Sequence, residues 1–331
     1  MLRRAVLGFL ACIASLAPIA AKASPALVFE PYNGTVFYAE DPDALWFPAS
    51  LTKMMTAYVA FHALRNGEVK PDTLAIVTKN ALKQPPTKLG LPVGTSIPLE
   101  TAIRVIIVKS ANDVAVMVAE TVGGSEEAFI ERMNEAAKRL GMTNTQFANP
   151  HGLPNEQQYT TARDLARLAR ALIIEFPEYA EIFAMKSVSV GKRQLRTHNG
   201  LLRTFSGADG MKTGFICDSG FNIVVSATRN GRKLVAVVLG EPSTRVRNAR
   251  AAQLLENGFK RYFWKSLFGT SLNGLAVPAK LNEQPAHLRA VICGPRPKRR
   301  TRKSEITPDL FRLETPVTAL ADLPVPSHPV N

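Results

Sequence analysis

Two pairs of β-rich runs flank a long stretch with helical spacing. Residues 26–29 and 35–39 are short β-rich runs on either side of a Pro-Tyr-Asn-Gly turn, and this pattern predicts a hairpin. Residues 220–228 and 233–239 are joined through an Asn-Gly pair, a strong two-residue turn signal that predicts a second hairpin. Strand pairs are therefore expected near both ends of the patterned region.

The stretch between these hairpins has the periodicity of α-helices. Apolar residues recur at helical spacing from Leu51 to His62, and Asn66-Gly67 ends the run. Similar patterns predict helices over residues 101–120, 126–140 and 161–176, and a last helix over residues 247–262. Strands at both ends with helices between them are typical of an α+β domain built on an antiparallel sheet.

The first residues differ from the rest of the chain. Arg3 and Arg4 precede an apolar segment at 5–20, and a small-x-small sequence ends at Ala23. This order predicts a secretory signal peptide over residues 1–23 that is cleaved after Ala23. The alternative is an uncleaved segment that holds the chain at the inner membrane. In both cases we expect an exported protein, periplasmic or otherwise extracytoplasmic.

The composition changes again beyond about residue 268. Residues 295–303 form a Pro/basic run, and the last residues are rich in proline and lack periodicity. We therefore predict a folded domain over 24–268 and a largely disordered tail over 269–331. The tail is interpreted as a solvated linker, or alternatively as a basic segment that attracts anionic lipid peripherally at the inner membrane.

Charge and histidine spacing exclude some classes of partner. The formal net charge is +14, which suits association with an anionic cell wall or membrane surface. Nucleic acid is not an expected partner, because the chain leaves the cytoplasm. The five histidines show no metal-ligand spacing, so we predict no metal and no cofactor.

The cysteines permit at most one disulfide in the mature chain. Cys12 leaves with the signal peptide, and Cys217 and Cys293 remain. An exported chain could join them. Cys217 lies beside a candidate active-site strand and Cys293 in the predicted tail, so we favour no structural disulfide.

Candidate chemistry begins at Ser50, the first residue of a Ser-Leu-Thr-Lys sequence at the start of a predicted helix. The positive end of the helix dipole favours a developing anion there. Lys53 lies on the same face and could accept the serine proton, if burial and a neighbouring cation such as Lys212 lower its pKa. The alternative is a helix-capping serine with an ordinary surface lysine. The S-x-x-K pattern also occurs at 189–192, so it is weak alone.

A second element, Ser110-Ala111-Asn112, follows an apolar run. The Ser110 hydroxyl could relay a proton to a leaving amine, and the Asn112 side chain could hold a substrate amide. The alternative is a polar kink between two helices. An S-x-N pattern also occurs at 271–273.

The third element, Lys212-Thr213-Gly214, precedes the second hairpin. Lys212 and Thr213 could receive a substrate carboxylate, and Gly214 would let an extended peptide lie close against the strand edge. The N–H groups of Phe215 and Ser50 could then bind an oxyanion. The alternative is a turn that enters a strand.

These elements and their surroundings resemble the low-molecular-mass penicillin-binding proteins, the serine-type D-alanyl-D-alanine carboxypeptidases. The matching stretches are 48–53, 108–113, 147–153, 159–164 and 209–220, in a resemblance that covers about residues 25–265. The resemblance implies a β-lactamase/transpeptidase-like fold, with an antiparallel five-stranded sheet flanked by helices. It also implies an all-helical subregion that carries Ser110 and Asn112.

The resemblance further implies removal of the terminal D-alanine from peptidoglycan stem peptides. Ser50 would be acylated, Lys53 would act as base and Ser110 as proton relay. Asn112 would contact the substrate amide, and Lys212 with Thr213 its carboxylate. Arg247 is a further candidate for the carboxylate, and β-lactams should acylate Ser50 as substrate mimics.

Two departures from the family pattern leave alternatives open. Residues 215–218 differ from the more familiar His-Thr-type run, and the C-terminal extension lacks both a β-rich domain and a clear amphipathic anchor helix. The alternatives are a class A-like β-lactamase, a DD-endopeptidase, and an inert wall-binding protein. A β-lactamase of that class needs a general-base glutamate, for which Glu175 and Glu178 lie in the nearest region.

Overall fold

The computed structural model describes residues 24–276 and 284–295. Its strands are β1 (Ala26–Phe29), β2 (Val36–Glu40), β3 (Leu74–Ile76), β4 (Ser96–Pro98), β5 (Ser187–Val190), β6 (Arg193–Arg196), β7 (Lys212–Ile216), β8 (Gly220–Arg229) and β9 (Arg232–Glu241). Its α-helices are α1 (Thr52–Arg65), α2 (Lys79–Lys83), α3 (Leu99–Val108), α4 (Asn112–Gly123), α5 (Glu126–Arg139), α6 (Ala162–Glu175), α7 (Ala180–Ala184), α8 (Leu201–Thr204), α9 (Thr244–Lys260), α10 (Tyr262–Phe268) and α11 (Arg289–Ile292). Short 3-10 turns cover Ala49–Leu51 and Pro177–Tyr179.

A five-stranded antiparallel sheet with strand order β2-β1-β9-β8-β7 forms the centre of the fold. Both predicted hairpins, β1–β2 and β8–β9, are confirmed. The first hairpin joins the sheet through pairing of β1 with β9, so residues far apart in the chain form adjacent strands. This is the fold class that the resemblance implied.

Helices cover both faces of the sheet. Alternate residues of β8 and β9 point to opposite sides, so Val224 and Val237 join one hydrophobic cluster and Val225 and Val238 the other. The first cluster contains apolar residues of α1, α3, α4 and α6, and the second contains Leu255 of α9. Burial on both faces explains why β8 and β9 have nearly continuous apolar sequences.

The predicted helix over 101–120 is wrong, because two helices occupy this stretch. α3 ends at Val108 and α4 begins at Asn112. Ser110, between them, has a φ of 63°, a left-handed conformation that an α-helix cannot contain. The interruption therefore places Ser110 and Asn112 at the junction of two buried helices.

The prediction of no structural disulfide is also wrong. Cys217 and Cys293 are joined, with their Cα atoms 5.7 Å apart. Residues 284–294, which we call the strap, return to the end of β7, where the Leu288 N–H donates to the Asp218 carbonyl at 2.9 Å. The pairing is non-local and depends on such specific contacts, so a composition typical of a tail did not reveal it.

Two predicted segments lie outside the described residues: the signal peptide at 1–23 and nearly all of the Pro/basic run at 295–303. Across residues 24–276 and 284–295, the helices are all too short or too polar to cross a membrane.

Candidate active site

A cleft of about 570 Å³ runs along β7, between the sheet and the helical region. Seven of the nine predicted site residues line it: Ser50, Ser110, Asn112, Thr213, Gly214, Phe215 and Arg247. The other two, Lys53 and Lys212, are buried. Their amino groups form hydrogen bonds with the hydroxyls of the lining residues Ser50 and Ser110. The three short sequence elements therefore meet in one place, together with Arg247 from α9.

Ser50 lies in the 3-10 turn that leads into α1, and Lys53 lies one turn further on. The Lys53 Nζ atom is 3.1 Å from the Ser50 Oγ atom. It also donates to the Asn112 Oδ1 atom at 2.8 Å and to the His151 carbonyl at 2.6 Å. Lys53 is 0% exposed, and Ser50 does not cap α1, so the interpretation as a capping serine with a surface lysine is wrong.

The electrostatic surroundings of Lys53 favour its neutral form. Burial holds the pKa of Lys53 well below its usual value, and the positive charge of Lys212 lowers this pKa further. Asp113 acts in the opposite direction and raises the pKa of Lys53. A neutral amine next to a hydroxyl group can accept its proton, which is the property that a nucleophilic serine requires.

Lys212 projects from β7 toward the break between α3 and α4. Its Nζ atom donates to the Ser110 Oγ atom at 2.9 Å and to the Thr213 carbonyl at 2.8 Å. Burial lowers the pKa of Lys212 to about 7, with a further contribution from the positive charge of Arg247. At that pKa both protonation states are accessible near neutral pH, so the pair with Ser110 can hold or transfer a proton.

Both the oxygen and the nitrogen of the Asn112 side-chain amide form hydrogen bonds. The Oδ1 atom accepts from Lys53, and the Nδ2 atom donates to the Pro85 carbonyl at 2.9 Å. Asn112 therefore ties α4 to α1 and to the loop of Pro86 and Thr87, which lines the cleft opposite β7. Its predicted contact with a substrate amide stays a prediction.

Gly214 faces the backbone of the turn that carries Ser50. A Cβ atom at Gly214 would lie 3.0 Å from the Pro48 carbonyl oxygen and 3.1 Å from the Ser50 nitrogen. Nine in ten real Cβ contacts are longer. The sequence predicts a different reason for this glycine, namely close approach of a peptide substrate. In the structure the close neighbour is the chain segment that carries Ser50.

Arg247 is a buried cation at the wall of the cleft. It is 3% exposed, and its guanidinium contacts the Asn248 side chain at 2.8 Å and the Asn222 carbonyl at 3.5 Å. Within the described residues it has no carboxylate partner, and burial lowers its pKa to about 10. A buried cation that has only neutral partners is suited to binding an anionic ligand.

Two parts of the site were not predictable from local sequence patterns. The His151 carbonyl accepts from Lys53, and Gly152 packs so tightly that an added Cβ atom would lie 1.8 Å from the Ala49 carbonyl oxygen. The stretch 147–153 was recognised only as part of a family pattern, because a backbone carbonyl leaves no signature in a sequence. The second missed part is Arg289, which the strap brings to the rim of the cleft.

Comparisons with known proteins agree with this geometry. The family model for D-alanyl-D-alanine carboxypeptidases matches residues 13–243. The chain is 36% identical over 238 residues to the D-alanyl-D-alanine carboxypeptidase DacA of Haemophilus influenzae, which covers 70% of this chain and 60% of that protein. It is 37% identical over 235 residues to DacC of Escherichia coli, covering 69% of this chain and 59% of that protein. The chain thus spans less than two thirds of the length of these relatives.

Solved structures show the same fold. Penicillin-binding protein 5 from Haemophilus influenzae aligns with a TM-score of 0.70 and 34% identity, covering 74% of this chain and 73% of that chain. Penicillin-binding protein D2 from Listeria monocytogenes, in a cefotaxime-bound form, aligns with a TM-score of 0.65 and 29% identity. That alignment covers 72% of this chain and 97% of the Listeria chain.

Proposed function

Because the chain belongs to the D-alanyl-D-alanine carboxypeptidase family, we propose that it removes the terminal D-alanine from peptidoglycan stem peptides through an acyl-enzyme on Ser50. One observation carries the proposal. A buried lysine, Lys53, with its pKa held well below normal, lies within hydrogen-bond distance of the hydroxyl of Ser50 in an open cleft. A buried lysine paired with an accessible serine hydroxyl is costly to maintain and is suited to nucleophilic attack.

In the acylation step, the Ser50 oxygen attacks the carbonyl carbon between the last two D-alanines. Neutral Lys53 takes the hydroxyl proton as the new C–O bond forms. The carbonyl oxygen becomes an oxyanion, and the N–H groups of Ser50 and Phe215 would stabilise it. Thr213, Lys212 and Arg247 would hold the terminal carboxylate of the substrate, which fixes the peptide along β7.

Release of D-alanine requires a proton on the leaving nitrogen. The Ser110 hydroxyl, hydrogen-bonded to Lys212, donates this proton as the C–N bond breaks, and it is reprotonated from Lys212. Lys53 has then gained the Ser50 proton, and Lys212 has lost one proton to the leaving amine by way of Ser110, so the two lysines together carry the same number of protons as before. Attack of water on the ester returns the Ser50 hydroxyl and releases the shortened peptide. A β-lactam would acylate Ser50 by the same first step.

The positions of the glutamates argue against a class A-like β-lactamase. The Glu175 carboxylate accepts from the Tyr58 hydroxyl at 2.8 Å, and Glu178 pairs with Arg65 at 2.6 Å. Neither residue lines the cleft, and its lining contains no Asp or Glu among the residues that the structure describes. Within residues 24–276 and 284–295, the site therefore has no candidate for the general-base glutamate that such an enzyme needs.

The two buried lysines argue against an inert wall-binding protein. Lys53 and Lys212 are both buried, and the positive charge of Lys212 acts on Lys53. Burial of two such amines without carboxylate partners is unfavourable, and wall binding does not require it. A DD-endopeptidase would use the same machinery, so the substrate must separate these two activities.

The proposal is tested with diacetyl-Lys-D-Ala-D-Ala. Purified protein is expected to release free D-alanine, and Ser50→Ala to release none, with both proteins showing the same circular dichroism spectrum. A cross-linked dimer of stem peptides, offered in parallel, measures endopeptidase activity. Faster cleavage of the dimer than of the tripeptide would show that the main activity is that of an endopeptidase and not of a carboxypeptidase. Cleavage of neither substrate would overturn the proposal.

Exposed apolar residues on α10 support peripheral contact with an anionic membrane after export. The side chains of Phe263, Trp264, Leu267 and Phe268 are between 59% and 80% exposed. Lys260, Arg261 and Lys265 lie in the same short segment. Aromatic and apolar side chains with adjacent cations are typical of helices that lie in the membrane interface. The predicted basic run at 295–303 would add to this attraction.

Co-sedimentation with vesicles tests the membrane contact. Vesicles that contain phosphatidylglycerol are expected to bind the full chain, and Trp264→Ser with Phe268→Ser to bind several-fold less. Leu74→Ser with Ile76→Ser, two exposed apolar residues of β3, is the matched control and should bind like the unmodified chain. Equal binding by all three proteins would remove α10 from the contact.

A further inference from the structure

Two arginines, Arg247 and Arg289, line the cleft that runs along β7. Arg247, on α9, is the proposed partner of the substrate carboxylate. Arg289, on the strap, lines the same cleft, and so do Ile216 and Cys217 at the end of β7. Among the described residues, the lining includes these two arginines and His198 but no carboxylate. Only Arg247 has a role in the proposed acylation reaction, so the presence of Arg289 in the cleft needs another explanation.

The strap holds Arg289 at the rim by covalent and polar contacts. The disulfide between Cys217 and Cys293 closes four residues after Arg289. The Leu288 N–H donates to the Asp218 carbonyl at 2.9 Å. The ring of His287 packs edge-on against Phe47, with centroids 5.0 Å apart. These contacts fix the backbone on both sides of Arg289 beside the cleft.

Only part of the Arg289 guanidinium forms hydrogen bonds within the described residues. Its Nε atom donates to one carboxylate oxygen of Asp218 at 3.1 Å, and its Nη2 atom to the other at 2.5 Å. Its Nη1 atom has no partner among the described residues, and the side chain is 61% exposed. Asp218 therefore orients the guanidinium while the Nη1 donors stay available. Because Asp218 offsets the charge, any ligand would be selected by hydrogen bonding more than by long-range attraction.

The direction of the substrate places its upstream residues near Arg289. This step rests on the proposed function. The terminal carboxylate would lie at Thr213 and Arg247, and the scissile carbonyl at Ser50, which packs against Gly214. An extended peptide then continues along β7 toward Cys217, three residues beyond Gly214. At roughly 3.3 Å per residue, this is about 10 Å, or two to three substrate residues.

We propose that the strap completes a subsite for an acidic residue located two positions upstream of the penultimate D-alanine, with Arg289 as its specificity-determining residue. The ligand class is an extended peptide that carries a carboxylate at this position. The Cys217–Cys293 disulfide has a positioning role, since it keeps Arg289 beside β7. Substrates too short to reach Arg289 gain nothing from the subsite.

Two tetrapeptides that differ in one group test the subsite. Acetyl-Glu-(Nε-acetyl-Lys)-D-Ala-D-Ala carries the carboxylate, and the Gln analogue does not. The unmodified protein is expected to show kcat/KM about threefold to tenfold higher on the Glu peptide, as for an exposed charge-assisted contact. Arg289→Gln should abolish this preference, and Cys217→Ser with Cys293→Ser should weaken it.

Arg261→Gln is the matched control, because Arg261 is an exposed arginine of the same charge that does not line the cleft. It should keep the full preference. Equal rates on the two peptides with the unmodified protein would overturn the subsite, and so would a preference that survives Arg289→Gln. If the protein also releases no D-alanine from the diacetyl tripeptide, the proposed function is wrong. The subsite, which rests on that function, is then wrong as well.

Discussion

Lys212 donates a hydrogen bond of 2.9 Å to the Ser110 hydroxyl, although 102 positions separate the two residues in the chain. The contact exists because α3 stops at Val108 and because β7 lies at the edge of the sheet that faces this break. It connects the helical region to the sheet inside the cleft. It also gives a serine hydroxyl a partner with a pKa of about 7, which suits transfer of a proton near neutral pH.

Replacing Ser110 by Ala is expected to slow turnover much more than it weakens binding. The change removes the proposed proton donor to the leaving amine and leaves the carboxylate contacts of Thr213 and Arg247 in place. General acid catalysis typically contributes on the order of 100-fold to 10,000-fold. Steady-state kinetics on diacetyl-Lys-D-Ala-D-Ala should therefore show a fall of at least 100-fold in kcat, with KM within about threefold. A large rise in KM at unchanged kcat would assign Ser110 to binding.

The dependence of kcat/KM on pH is expected to be bell-shaped. Lys53 must be neutral to accept the serine proton, so activity rises as pH increases through its lowered pKa. Lys212 must be protonated to hold a carboxylate and supply a proton, so activity falls as pH increases through about 7. A rate that instead continues to rise toward pH 10 would indicate an ordinary lysine at position 53. The measured values belong to the coupled pair of lysines.

Gly152→Ala should damage both stability and acylation. An added Cβ atom would lie 1.8 Å from the Ala49 carbonyl oxygen, so the turn that carries Ser50 must shift. We expect a loss of about 3 kcal/mol or more in the free energy of unfolding, by analogy with overpacking. Gly141→Ala is the control, because Gly141 also has a positive φ but no atom within 4 Å of the added Cβ. It should cost only about 1 kcal/mol and leave acylation intact.

Arg247→Gln should raise KM for peptides with a free terminal carboxylate. The loss of a buried charge-assisted contact of about 1.5–3 kcal/mol corresponds to roughly 10-fold to 100-fold in KM. A peptide whose C-terminus is amidated has no carboxylate to lose. The unmodified protein and the variant should therefore cleave it at similar rates. If Arg247→Gln slows both peptides equally, Arg247 supports the fold of the cleft and does not bind the substrate.

Much of the fold could be predicted from local pattern. The Asn-Gly pair at 230–231 and the apolar runs around it predicted the hairpin of β8 and β9, and the periodicity after Ser50 predicted α1 with its end near Asn66. These features are local, because the turn and the helical periodicity are determined by residues that are close together in the sequence. The meeting of the three short elements followed from their resemblance to a known family and from their chemistry.

The missed features depend on contacts between distant residues. The break between α3 and α4 contains neither Gly nor Pro, and the left-handed conformation of Ser110 is imposed by the packing around it. The disulfide joins residues 76 positions apart through a segment without periodicity. The reason for Gly214 lay in its neighbour Ser50, which no local pattern identifies.

Mass spectrometry of the protein after incubation with benzylpenicillin tests the central claim most directly. We predict a mass increase equal to one intact penicillin, located by fragmentation on Ser50 and absent from Ser50→Ala. Such an adduct requires the attack by an activated serine oxygen that the Lys53 contact at 3.1 Å supports. An adduct on another residue, or one that persists in Ser50→Ala, would contradict the account.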